Sequence, residues 1–146
     1  MPEIVTRQFG PLEYTEESVL HFPGGIPAFE DHTRFLLIEQ DSYAPFLFLQ
    51  SVVDGHLSFL VLPVNRIDPA YQLQLEAEEM ETLQIDDPSS PLVTLAVVTL
   101  IAGGTPSANL VAPILINMTN QVGLQCIQSA SNYSHQTPLA LREEGC

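Results

Sequence analysis

The sequence has no lysine and only four arginines, against 18 aspartates and glutamates in 146 residues. Its formal net charge is −14 and its pI is near 4.2. Without Lys and Arg a chain cannot replace the counterions on phosphate, so a nucleic-acid surface is excluded. An anionic membrane surface repels it for the same reason. It has too few cysteines for a disulfide framework: Cys126 and Cys146 are the only two, and Cys146 is the last residue. Long apolar runs are missing too. The longest, Leu92 to Ala102, is about half of the roughly 20 residues a membrane helix needs. No basic segment leads into an apolar one at the start, so no signal peptide is expected. These features together suggest a cytoplasmic protein with incidental thiols.

What remains is a globular composition. Apolar residues make up 45% and charged residues 15%, which argues against disorder despite the net charge. The length suggests one domain over 1–146, burying roughly two-thirds of its unfolded surface. After Gln128 the chain turns polar and is expected to be loosely held, with Tyr133 and Leu139 as possible pins. The field of such a chain attracts basic proteins and steers their approach, unless the acidity only confers solubility.

The pattern is one of strands. Phe35–Ile38, Phe46–Leu49, Phe59–Leu62, Leu92–Ala102 and Leu110–Ile116 are short, β-branched or aromatic, and bounded by Gly, Pro, Asp or Asn. Asp54-Gly55 predicts a tight hairpin, and Gly103–Pro106 and Asn120–Gly123 predict two further reversals. Tyr71, Leu73 and Leu75 alternate with glutamines and should face inward. Pro113 removes a donor in mid-run, which predicts an edge strand or a bulge there, and an edge could accept a partner's strand. Twelve prolines limit helix. One two-turn helix fits Ala77, Met80 and Leu83 as its buried stripe. The fold class is therefore mainly β: one antiparallel, barrel-like domain with one or two short helices.

Catalytic and cofactor patterns are sparse. Gly24-Gly25 has no Gly-Lys-Ser/Thr after it, and no serine stands in Gly-x-Ser-x-Gly. His21, His32, His56 and His135 lie far apart, without metal-ligand spacing. Cys126 falls in a predicted strand, Leu124–Gln128, with no neighbouring cation to activate it. No cofactor or metal is expected. Glu76, Glu78, Glu79, Glu81, Asp86 and Asp87 form the densest acidic run. It lacks the ligand alternation and glycine of a calcium loop. It is either a solvated face or a docking surface for a basic partner. Asn109, Asn117, Gln50 and Ser51 fall where burial is predicted and should clamp strand ends.

Thr6-Arg7-Gln8-Phe9-Gly10 with Glu13, then Phe22-Pro23-Gly24-Gly25-Ile26-Pro27-Ala28-Phe29-Glu30, resembles the N-terminal signature of the flagellar assembly factor family, FliW. Pro45-Phe46 with Leu49-Gln50-Ser51-Val52 is similar to its next block. Asn109 to Asn117 resembles its most specific block, and Gly123-x-Gln125 follows in the family's order. Family members often carry glycine where Ala28 stands.

The resemblance implies a non-enzymatic adaptor that binds newly made flagellin and the translational regulator CsrA. Such an adaptor stops CsrA from repressing flagellin mRNA and so couples flagellin synthesis to flagellum assembly. The acidic run is the expected surface for CsrA, which must present a basic face to RNA. Flagellin's apolar ends need apolar surface, and alternation sets one half of Phe46–Leu49 and Leu110–Ile116 away from the interior. In the first run the outer set is Phe46 with Phe48 or Leu47 with Leu49, either covered by loops or partly exposed; Phe46, Phe48 and Leu110 are the expected apolar contacts. A different class of function, a small β-barrel enzyme or ligand-binding protein using His21 or Cys126, would need a cavity with converging polar groups.

Overall fold

The apolar runs become strands whose hydrogen bonds close into a ring. The computed structural model describes residues 2–86, 92–100, 103–128 and 132–139. A hairpin of β1 (Glu3–Thr6) and β2 (Gly10–Glu13) stands apart as its own two-stranded sheet. The remaining strands are β3 (Leu20–His21), β4 (Arg34–Glu39), β5 (Leu47–Ser51), β6 (Ser58–Pro63), β7 (Val93–Thr99), β8 (Ser107–Ala108), β9 (Ile114–Asn117), β10 (Val122–Gln125) and β11 (Thr137–Pro138). The ring runs β7-β6-β5-β4-β3-β10-β9 and returns to β7, a closed barrel of seven strands. Every pairing is antiparallel except β3 with β10, which meet in parallel at His21 and Val122. Strand β7 forks. Val93–Leu95 pair with β9, whereas Val98 and Thr99 pair with β8, which in turn pairs with β11.

Alternation along each strand fills the barrel. Leu20, Phe22, Phe35, Leu49, Val61, Leu95, Ile114 and Ile116 form the interior. Phe22 lies so close to Gly123 that a Cβ there would stand 2.5 Å from its ring, which is why this strand carries glycine. The other faces of β6 and β7 are covered as well. Leu62, Ala96, Val98, Ala108, Leu110 and Leu139 form a second cluster under Phe46, Tyr71 and Tyr133. Strands buried on both faces read as continuous apolar runs rather than as alternation, as these do.

Several local expectations change. The Leu110–Ile116 run is a strand only from Ile114. Before it, the Asn109 side-chain oxygen accepts the N–H groups of Val111 (3.0 Å) and Ala112 (3.1 Å), so the chain turns there instead. Pro113 thus precedes the strand, and β9 lies between β7 and β10 with no edge to offer a partner. The strand expected over Leu124–Gln128 ends at Gln125.

Tyr71–Leu75 has its odd residues half-buried, as expected, but joins no ladder. Its polar groups go elsewhere: Gln74 N–H donates to Gln128 Oε1 (2.8 Å), Gln128 Nε2 to the Gln74 carbonyl (2.9 Å), and the Tyr71 hydroxyl to the Leu110 carbonyl (2.6 Å).

The β5–β6 hairpin is wider than a two-residue turn. Buried Ser51 accepts from the N–H groups of Val53 and Asp54, and buried Gln50 donates to the carbonyls of Ser51 and Leu57. Gly55 is required because a Cβ would fall 1.8 Å from the Val5 carbonyl oxygen.

Candidate functional site

The helix forms where expected, over Ala77–Leu83 (α1). Glu76 and Glu79 close the first turn on each other: the Glu76 N–H donates to Glu79 Oε1 at 2.8 Å, and the Glu79 N–H donates to the Glu76 carbonyl at 3.0 Å. Early glutamates also suit the helix dipole. So short a helix needs tertiary support. Leu83 is fully buried against Leu115 and Cys126. Asn117 Nδ2 donates to the Leu83 carbonyl at 2.8 Å, and Gln84 follows in the left-handed region at φ 60°. Ala77, expected on the buried stripe, is exposed instead, and Met80 is half-buried.

The helix therefore holds its carboxylates on a fixed frame. Glu76, Glu78, Glu81 and Asp86 are exposed and Glu79 is half-buried, while Asp87 lies outside the described residues. Burial, helped by the nearby Glu79, pushes the Cys126 thiol well up. Cys126 is thus a neutral core thiol beneath the acidic helix. His21 is exposed on β3, packed in neither of the core clusters around Cys126 and the barrel interior. Among the described residues no three His, Cys, Asp or Glu side chains converge as metal ligands would.

The apolar candidates separate. Leu47 and Leu49 point into the barrel, so Phe46 and Phe48 form the outer set. Phe48 is not an exposed contact. It is 8% exposed, covered edge-on by Phe9 at 5.1 Å and Tyr43 at 5.0 Å. Leu110 is 3% exposed in the cluster with Tyr71, Tyr133 and Leu139. Both were eligible for exposure by alternation, and aromatic rings from other segments take that area out of water.

Phe46 remains half-buried. With Tyr43, Phe48, Ser58, Leu60 and Leu100 it lines a groove of about 340 Å³. Gln8 Nε2 donates to the Tyr43 hydroxyl (3.0 Å) at one wall. Leu100, on the other side, is 65% exposed. Leu100 was not singled out in the sequence, because a continuous run does not reveal which end leaves the core.

A second signal went unread. No Asp, Glu, Lys or Arg stands between Asp87 and Arg142. Strands β7 to β11 all lie in that stretch, so the acidity belongs to the rest of the chain.

A family model described as FliW protein matches residues 3–139. The flagellar assembly factor FliW of Syntrophomonas wolfei is 34% identical over 137 residues, covering 94% of this chain and 88% of that one. That of Moorella thermoacetica is 38% identical over 134 residues, covering 90% and 84%. A crystal structure of the flagellar assembly factor FliW superposes with a TM-score of 0.85 at 31% identity, over 94% of this chain and 96% of that chain.

Proposed function

The chain belongs to the FliW family of flagellar assembly factors, and from that premise we propose that it is a cytoplasmic, non-enzymatic adaptor that binds flagellin and antagonises CsrA. The observation that carries this reading is the acidic helix, a row of carboxylates fixed to the barrel by a cap, a buried leucine and the Asn117 amide. A regulator that binds RNA must be basic where it does so. Glu76, Glu78, Glu79, Glu81, Asp86 and Asp87 are the residues assigned to it. Docked beside that basic face, the adaptor repels the phosphate backbone without touching RNA. No helix among the described residues is long and apolar enough to cross a membrane.

Flagellin is assigned to the groove that Phe46 and Phe48 line, with Leu110 supporting it from the cluster beneath Phe46. Apolar segments gain about 25 cal/mol for each Å² removed from water, and a charged face offers them nothing comparable. Exposed Leu100 extends that surface.

The test is a gel shift with flagellin leader RNA, CsrA and this protein. A tenfold excess over CsrA should release the RNA, and an intact RNA complex would overturn the CsrA reading. In calorimetry, Leu100→Ser should weaken flagellin at least tenfold and leave CsrA binding unchanged. Equal loss of both partners, or of neither, would overturn the separate groove.

A further inference from the structure

One end of the barrel opens into a cup of about 340 Å³ that neither partner surface uses. Its floor is apolar, made by Ile26, Phe59 and Val97, which belong to or pack on the barrel core. Its wall is polar and holds no Asp, Glu, Lys or Arg. Asn109 and Gln125 stand there, with Thr99, Ser107, Gln136 and the imidazole of His135. No carboxylate lines it, although the chain carries 18.

The two amides are not loose. The Asn109 oxygen is committed to the N–H groups of Val111 and Ala112. The Gln125 nitrogen donates to the carbonyl of the same Ala112, at 2.9 Å. Each side chain is thereby tied by one end to the segment before Pro113. What remains is the NH₂ of Asn109 and the carbonyl oxygen of Gln125, a donor and an acceptor held by one short stretch of backbone. A donor and an acceptor anchored to the same stretch together complement an amide, which offers a C=O and an N–H. Groups already immobilised lose little further freedom when such a ligand binds. Depth and an apolar floor below a polar rim are the usual composition of a binding site.

We propose that this cup binds a backbone amide of an uncharged polypeptide segment, with the neighbouring apolar side chain of that segment seated on Ile26, Phe59 and Val97. The absence of Lys, Arg, Asp and Glu selects the partner. A lining whose one basic group is the exposed imidazole of His135 gives a carboxylate no guanidinium or ammonium to pair with, and the chain's net charge of −14 disfavours anions further. A lining without Asp or Glu gives a cationic side chain no partner for its lost hydration. The site therefore takes stretches of apolar and amide or hydroxyl residues. It needs neither the acidic helix nor the Phe46 groove, so it stands or falls apart from the adaptor reading.

The test uses the full chain, isotopically labelled, titrated with N-acetyl-leucine N-methylamide, which carries two backbone amides around one apolar side chain. A ligand of about 13 non-hydrogen atoms and ordinary efficiency binds with a dissociation constant on the order of 1 mM. The expected result is saturable amide-shift changes confined to Thr99, Ser107, Asn109, Gln125 and Gln136. N-acetyl-leucine, the carboxylate, should bind at least fivefold more weakly. Thr99→Trp fills the rim from an exposed position and should abolish the shifts with the melting temperature unchanged. The map on the unsubstituted protein is decisive without that variant. Shifts that are absent or scattered, a carboxylate that binds as well, or a cup that takes nicotinamide but not the peptide mimic would each overturn the proposal.

Discussion

The side chain of Asn117 reaches 2.8 Å to the carbonyl of Leu83, 34 positions earlier in the chain, and its own oxygen accepts the Thr119 N–H. One buried amide thus ends the helix and starts the β9–β10 turn. The seat of the acidic row and the closure of the barrel depend on the same residue.

Replacing Asn117 by Asp keeps the acceptor and turns the donor into a second oxygen facing a carbonyl. We expect a loss of about 1–3 kcal/mol, the cost of leaving a buried group unpaired. Urea unfolding measures it, and a change under about 0.5 kcal/mol would show that the contact carries no weight. CsrA affinity should fall in the same variant, because the helix loses its anchor.

Ala28 sits at φ 75°, in the left-handed region that a Cβ disfavours, and its N–H is bound to Glu30 Oε2. Ala28→Gly relieves strain of about 1–2 kcal/mol and gives back part of it to the more flexible unfolded chain. The expected net gain is about 0.5–1 kcal/mol, read as a higher urea midpoint. An unchanged or lowered midpoint would refute it.

Charge on the helix should act on encounter more than on residence. Glu78→Gln with Glu81→Gln neutralises two exposed carboxylates while leaving the Glu76–Glu79 cap intact. Exposed charges are screened beyond roughly 10 Å at 0.1 M salt. Both the double variant and added salt should slow association with CsrA and alter dissociation little. Stopped-flow rates indifferent to both would reduce this row to a solvated face.

Alkaline pH should destabilise the fold through buried Cys126 and half-buried Tyr71. Burial pushes the Cys126 thiol up, and burial with the neighbouring Tyr133 pushes the Tyr71 hydroxyl up to about 12. In the unfolded chain these groups ionise near their ordinary values, about 8.5 and 10. Above those values the unfolded state binds fewer protons than the native one, so stability falls as pH rises. The decline should begin near pH 8.5 and steepen past 10. In a Cys146→Ser background the Cys126→Ala variant should lose the first part of the decline. A decline identical in both would assign it elsewhere.

The strands were legible because each buried run is short, β-branched and bounded by turn residues, and the helix because Met80 and Leu83 repeat against surrounding glutamates. The turn at Leu110–Pro113 was hidden by apolar residues that are buried without being in a strand. Only the Asn109 side chain marks it, and its hydrogen bonds are a tertiary fact. Tyr71–Leu75 shows the reverse: its alternation correctly predicts an inward face, yet it joins no ladder and its backbone bonds the side chain of Gln128 instead. For the partner surfaces, the pattern split Phe46 and Phe48 from Leu47 and Leu49 without saying which pair faces outward. It could not place Phe9 and Tyr43 over Phe48, since those rings come from other segments. The uncharged stretch after Asp87 was in plain view, obscured by reading charge as a whole-chain total.

The parallel contact of His21 with Val122 also sets a clock. Strand β3 must wait about a hundred residues for the partner that completes its side of the ring, a separation that makes closure entropically slow. A chain emerging from the ribosome can form the β1–β2 hairpin and the β4–β5–β6 meander early, because their partners are near neighbours. Until β9 and β10 follow, β3 and β7 both present open edges, which invite pairing with other chains. With those edges open, a truncated or stalled product should aggregate or be degraded rather than act as a weak adaptor.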